Sequence, residues 1–191
     1  MPYRTTKYTK FHKVNSECPC VSFVVQERSA MTKSLVIILM GSKADEAHCA
    51  KIAEAARGFG LDVVTRIGSA HKTPAHAQNI LRQYEADPRP KVYITVAGRS
   101  NALSGFTDGS VSAPVIACPP ASEAFGGADV YSSLRMPSGI APAVVLEPVN
   151  AALLAAKILG QCEADVKAKV IEFQQKQAKK ILEDDQAIQP A

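Results

Sequence analysis

Three short segments concentrate the side chains able to do chemistry: Gly41-Ser42-Lys43-Ala44-Asp45, Gly68-Ser69-Ala70-His71-Lys72-Thr73-Pro74 and Ala97-Gly98-Arg99-Ser100-Asn101. The second is the most telling. The chain has only four histidines, and His71 stands beside a lysine, two residues after a serine, just ahead of Thr-Pro. An imidazole titrates at about pH 6.5, so it can both take and return a proton near neutrality. On its own, a histidine ahead of a helix is more often a cap or a surface residue. Gly41-Ser42 opens a helix, whose first N–H groups and dipole favour an anion. Lys72 and Arg99 would add positive charge nearby, so the three segments together point to a phosphate-bearing small molecule. Asp45 would repel a phosphate. It either accepts hydrogen bonds from sugar hydroxyls or faces the helix dipole as a first-turn acid, worth about 0.3–1 kcal/mol, and local sequence does not separate the two. The loop has neither the G-x-G-x-x-G pattern of dinucleotide sites nor the G-K-S/T of a P-loop.

These segments need a scaffold that brings them to one place. "LVIILM" (35–40) is a continuous apolar run, as in a central parallel strand covered on both faces. "LDVVTRIG", "KVYITVAG", "PVIACP" and "APAVVLE" read as four further strands. A helix follows the first strand, with apolar positions Ala47, Ala50, Ile52, Ala53 and Ala56 and stop signals at Gly58 and Gly60. A second follows Pro74, well placed at a first turn, and two more follow the last strand. This alternation predicts a three-layer, flavodoxin-like α/β fold with a five-stranded parallel sheet in the order 2-1-3-4-5. Ligands of such sheets bind beyond the carboxyl ends of the strands, near the switch in strand order. The three polar segments follow strands one, two and three, which turns the odds toward His71 having a functional role. His76 reads as solvent-facing and His48 as structural. "YSSLRMPSG" (131–139) either closes over a ligand or packs a crossover, and composition leaves both open.

Composition excludes several classes. Residues 1–30 hold five basic and two acidic side chains, and residues 31–191 hold seventeen and sixteen. The net charge of +4 therefore sits mostly in the first thirty residues, and the near-neutral body is not expected to bind nucleic acid. Five scattered cysteines do not suggest a disulfide framework, and Cys18-Pro-Cys20 lacks the second pair of a zinc site. No apolar run approaches the roughly 20 residues of a membrane span, and the expected location is the cytoplasm. Residues 1–30 read as a basic, disordered extension ahead of Met31, residues 31–160 as the α/β domain, and residues 161–191 as a C-terminal helix. Glu17 and Glu27 argue against a targeting segment.

Taken in order and at their intervals, "MGSKAD", "SAHKTP", "AGRSN", "CPP" and "YSSLRMPSG" resemble the phosphoribosylaminoimidazole carboxylases of purine biosynthesis, from about Leu35 to Gly160. The resemblance implies a homo-oligomer, an octamer or a tetramer, with sites at subunit contacts and aminoimidazole ribonucleotides as substrates. It implies no metal, nucleotide or biotin cofactor. It also assigns roles: His71 carries the proton, Ser69 and Lys72 hold the substrate, and Gly41, Ser42 and Asp45 belong to its ligand-contacting loop. Gly98, Arg99, Ser100 and Asn101 fall in the loop that differs between two branches of the family. The mutase branch, which moves a carboxylate from nitrogen to carbon, has His-Leu-Pro there. "AGRSNALSGF" has no histidine and, with Lys72, resembles the branch that uses carbon dioxide directly. Direct carboxylation is therefore the expected activity. The mutase reaction is the nearest alternative, and a non-catalytic phosphate-ligand binding module is a further one.

Overall fold

Strand β1 (Leu35–Met40) is apolar at every position because both of its faces are covered. Val36, Ile38 and Met40 point into one core and Leu35, Ile37 and Leu39 into another, the alternation that a strand imposes. The computed structural model describes residues 33–189. The extension expected at 1–30 lies outside these described residues.

The sheet contains β1, β2 (Asp62–Ile67), β3 (Lys91–Val96), β4 (Val115–Ala117) and β5 (Ala143–Val144), all parallel, in the order β2-β1-β3-β4-β5. Leu35 is level with Asp62 and Lys91, and Met40 with Ile67 and Val96, so the first three strands end flush. This is the expected fold. Helices α1 (Glu46–Gly58), α5 (Pro148–Leu159) and α6 (Ala164–Ile188) cover one face through residues such as Ile52, Ala155 and Val166. Helices α2 (Pro74–Glu85) and α3 (Ala102–Asp108) cover the other through Ile80, Leu81 and Leu103. Gly68 admits α2: a side chain there would meet the Ala77 backbone at 3.2 Å and Ile80 at 3.3 Å.

Several details differ from expectation. Of the apolar positions assigned to α1, Ile52, Ala53 and Ala56 are buried with Cys49, whereas Ala47 and Ala50 are exposed. Alanine is small enough for either environment, so its spacing carries little information. The stretch 141–147 pairs only at Ala143–Val144. Helix α3 occupies what reads as a loop, and a short helix α4 (Tyr131–Leu134) follows a 3-10 turn at Ala128–Val130. Beyond Val170, α6 is almost entirely exposed.

Candidate active site

The chain leaves β1 toward α1 on one face and leaves β3 toward α3 on the other. Neighbouring loops that part in this way open a crevice at the strand ends. A cleft of about 500 Å3 lies there, floored by the ends of β1 and β3. Gly41, Ser42, Ala44 and Asp45 line it from the first loop, Ser69 to Lys72 from the second, Ala97 to Ser100 with Leu103 from the third, and Pro120 to Ser122 from the segment after β4.

The first loop continues the sheet before it turns. Gly41 N–H donates to Val96 O at 2.9 Å, and a 3-10 turn (Lys43–Asp45) then leads into α1. The Asp45 amide donates to Ser42 O at 3.2 Å and the Glu46 amide to Lys43 O, whereas the Lys43 and Ala44 amides have no carbonyl ahead of them in the turn and are left available to an anion. Asp45 does not cap α1 with its side chain; its carboxylate accepts instead from the Ser42 hydroxyl at 3.3 Å, on the cleft wall.

The second loop is closed by its own side chains. Gly68 N–H donates to Met40 O at 2.9 Å, holding the start of the loop against β1. Thr73 Oγ1 accepts from the Ser69 amide at 3.1 Å, and Ser69 Oγ accepts from the Lys72 amide at 3.1 Å. Thr73 N–H donates to Ser69 O at 3.0 Å, and Pro74 starts α2. His71 thus sits at the tip of a turn fixed on both sides, exposed and on the cleft lining. The Ser69 hydroxyl keeps its proton free to donate, because a hydroxyl has one donor beside two lone pairs.

The third loop carries backbone strain. Arg99 has φ of 59°, the left-handed region that costs a non-glycine residue about 1–2 kcal/mol. Its N–H donates to Asp129 Oδ2 at 3.1 Å. The Arg99 carbonyl accepts from Ser132 Oγ at 3.0 Å, and Asn101 N–H donates to the same Ser132 oxygen at 3.0 Å. Arg99 and Ser100 consequently line the cleft with Gly98, while Asn101 turns away from it.

Of the residues expected at the site, Gly41, Ser42, Asp45, Ser69, His71, Lys72, Gly98, Arg99 and Ser100 share this one cleft. Asn101 does not line it. It is 3% exposed, accepts from Ser104 N–H at 3.2 Å as the N-cap of α3, and donates to Ser133 Oγ at 2.9 Å. An asparagine ahead of a helix is among the preferred caps, and that preference could have located α3 from the sequence. The wall from Pro120, Ala121 and Ser122 was signalled only by the "CPP" segment. In "YSSLRMPSG", packing prevails at Met136, whose sulfur lies 3.1 Å from where a side chain at Gly105 would begin. His76 is exposed, as expected, and the half-buried His48 lies against Cys118.

A family model described as AIR carboxylase matches residues 35–180. A phosphoribosylaminoimidazole carboxylase of Treponema denticola is 58% identical over 153 residues, 80% of this chain and 96% of that protein. One from Archaeoglobus fulgidus is 51% identical over 152 residues, covering 80% and 83%. A bifunctional mouse protein, phosphoribosylaminoimidazole carboxylase joined to phosphoribosylaminoimidazole succinocarboxamide synthetase, is 46% identical over 125 residues, 65% of this chain but 29% of that one. The crystal structure of Treponema denticola PurE superposes with a TM-score of 0.81 at 56% identity, covering 83% of this chain and all of that one.

Proposed function

This chain belongs to the AIR carboxylase family, and from that premise we propose that it joins carbon dioxide to C4 of 5-aminoimidazole ribonucleotide in purine biosynthesis. The product is 4-carboxy-5-aminoimidazole ribonucleotide. The observation that carries this reading is the convergence of His71, Lys72 and Arg99 on one cleft whose opposite wall offers first-turn amides.

The substrate's ring is an enamine, so C4 can attack the carbon of carbon dioxide without a cofactor. The new C–C bond forms as one C–O π pair moves onto oxygen. C4 is then tetrahedral and still carries its hydrogen. The His71 imidazole takes that proton, and the C–H electron pair restores the aromatic ring. General acid–base help of this kind contributes typically ~10²–10⁴-fold. Lys72 supplies a compact charge for the phosphate, the Ser42 loop meets the phosphate end, Asp45 accepts from the ribose hydroxyls, and Arg99 with Ser100 faces the carboxylate that develops.

The loop after β3 has no histidine, and the two most fully covered relatives reported above are named carboxylases, which supports direct use of carbon dioxide. The test is purified protein with 5-aminoimidazole ribonucleotide and bicarbonate, without ATP or a second enzyme. Carboxylated product is expected. Turnover confined to the N-carboxylated ribonucleotide would replace this reading with the mutase reaction, and no turnover of either would remove both.

The enzyme is proposed to act as a homo-octamer or tetramer. Phe125, Tyr131 and Leu134 are exposed beside the cleft, and Ile181, Leu182 and Ile188 are exposed along α6, as apolar surfaces that copies could cover. Sedimentation velocity measures this directly. A cytoplasmic location is proposed on the same pathway; no helix among the described residues is long and apolar enough to cross a membrane.

A further inference from the structure

Arg99 and Ser100 sit at the cleft on a backbone that the local sequence does not favour. Arginine has no intrinsic preference for the left-handed region, which is visited mainly by glycine and, less often, asparagine or aspartate. The stretch 99–101 has left the sheet and has not yet entered α3, so neither ladder nor helix satisfies its polar groups. The Ser100 carbonyl accepts from the Ala102 amide at 3.0 Å, and the Arg99 amide, the Arg99 carbonyl and the Asn101 amide are met by one short segment more than twenty-five residues later in the chain. The Arg99 amide donates to the Asp129 carboxylate, the Arg99 carbonyl accepts from the Ser132 hydroxyl, and the Asn101 amide donates to that same hydroxyl oxygen. The single Ser132 hydroxyl proton is shared between two acceptors, the Asp129 carbonyl at 2.7 Å and the Arg99 carbonyl at 3.0 Å, so the Asp129–Arg99 bond is the firmer half of the clamp.

We infer that Asp129 and Ser132 are positioning residues: they hold the Arg99 turn left-handed and so aim the Arg99 and Ser100 side chains into the cleft. Neither acts on the substrate through its own polar group. Asp129 spends its carboxylate on a backbone amide, where a charged acceptor makes a stronger hydrogen bond than a neutral one. Without it the Arg99 amide loses its protein acceptor, and the backbone relaxes toward a right-handed or extended conformation that swings both side chains away. Asp129 in the 3-10 turn and Ser132 in α4 are three residues apart on consecutive helical turns, which puts them on one side of the 128–134 segment. The consequence for turnover rests on the carboxylase reading; the clamp itself rests on the hydrogen bonds.

Two measurements decide it. Steady-state carboxylation is compared for wild type, Asp129→Ala, Asp129→Asn, and Asp129→Ala placed in a background already lacking both cleft side chains (Arg99→Ala with Ser100→Ala). The alanine variant is expected to lose roughly 10- to 100-fold in kcat/KM, the scale of a hydrogen bond to a charged group. The asparagine variant keeps a carbonyl acceptor and should recover most of that loss. In the stripped background, Asp129→Ala should change kcat/KM by less than about twofold, because there is nothing left to aim. Equal losses in both backgrounds would overturn the inference, as would an asparagine variant no better than alanine. The second measurement is amide hydrogen exchange over residues 97–103, expected to be faster in Asp129→Ala and close to wild type in Asp129→Asn. Unchanged exchange in the alanine variant would overturn the clamp whatever the kinetics. Absence of wild-type carboxylation would instead overturn the activity, leaving exchange to judge the clamp.

Discussion

His48 Nε2 stands 3.3 Å from Cys118 Sγ, tying the helix that begins at the cleft to the strand end that leads into Pro119 and Pro120. Burial lowers the His48 imidazole below its ordinary value, outweighing the raising effect of the Cys118 backbone and of Asp45. A histidine held neutral by the fold binds fewer protons folded than unfolded. Its contribution is therefore complete above the ordinary histidine range and is lost as pH falls through that range to the depressed folded value. The melting temperature should fall as pH drops through and below the ordinary histidine value of about 6.5, and His48→Gln should flatten that fall. A variant whose pH profile parallels wild type would show that other groups set the slope.

The same burial silences two thiols. Cys118 and Cys49 are both pushed up to about 12 by desolvation, so neither has an appreciable thiolate population near neutrality. Cys162 is exposed. Iodoacetamide at about pH 8, near the ordinary thiol value, should alkylate Cys162 in the native protein and reach Cys49 and Cys118 only after denaturation. Peptide mass spectrometry reads this, and native labelling of Cys118 as fast as Cys162 would contradict it.

His71→Asn keeps a polar side chain of similar reach at the tip of the Ser69–Thr73 turn but cannot carry a proton. Turnover should drop by ~10²–10⁴-fold with little change in melting temperature, because the turn is closed by Ser69 and Thr73. Near-normal turnover would remove His71 from proton transfer.

Lys72 separates charge from shape. Paired with the substrate phosphate, its loss in Lys72→Ala should raise KM by the equivalent of about 1.5–3 kcal/mol. Lys72→Arg should recover part of this, keeping the charge while altering its geometry. If Lys72 were only a solvated surface charge, both changes would stay within about 0.5 kcal/mol.

The left-handed Arg99 can be measured as stability. Arg99→Gly and Arg99→Ala both remove the guanidinium, but only glycine adopts φ of 59° without steric cost. Glycine should therefore be the more stable of the two by about 1 kcal/mol, equivalent to roughly 2–4 °C in Tm for a domain of this size. Equal melting temperatures would mean that the turn relaxes in both.

The centre of the sheet was legible in the sequence because burial decides it: a strand covered on both faces has to be apolar throughout, and "LVIILM" is. The cleft was legible because chemistry needs particular side chains, and these stood together at strand ends. What was not legible follows from the opposite situation. Helix α3 has one local signal, the Asn101 cap, ahead of a run of Ala, Leu, Ser and Gly whose own preferences favour no one structure, and tertiary contacts with β3 and β4 stabilise it. Asn101 itself was read with the cleft residues beside it, although its amide serves the α3 cap and Ser133. The Asp129–Arg99 bond joins residues thirty apart in the chain, and no local pattern announces it.

The residues that make the sheet and the polar residues that line the cleft form two nearly disjoint sets: β1 is buried throughout, whereas Ser42, Asp45, His71, Lys72, Arg99 and Ser100 are exposed or half-buried. A saturation-mutagenesis map that scores cellular abundance and turnover separately should therefore split along this line. Positions 35–39 would lose abundance, and positions 42, 71 and 72 would lose turnover while abundance stays intact. Asn101 would be a rare position scoring in both, since it caps a core helix and anchors the turn that carries Arg99. Such a protein can accept new cleft chemistry without first acquiring a reserve of stability, because what it would change is not what keeps it folded.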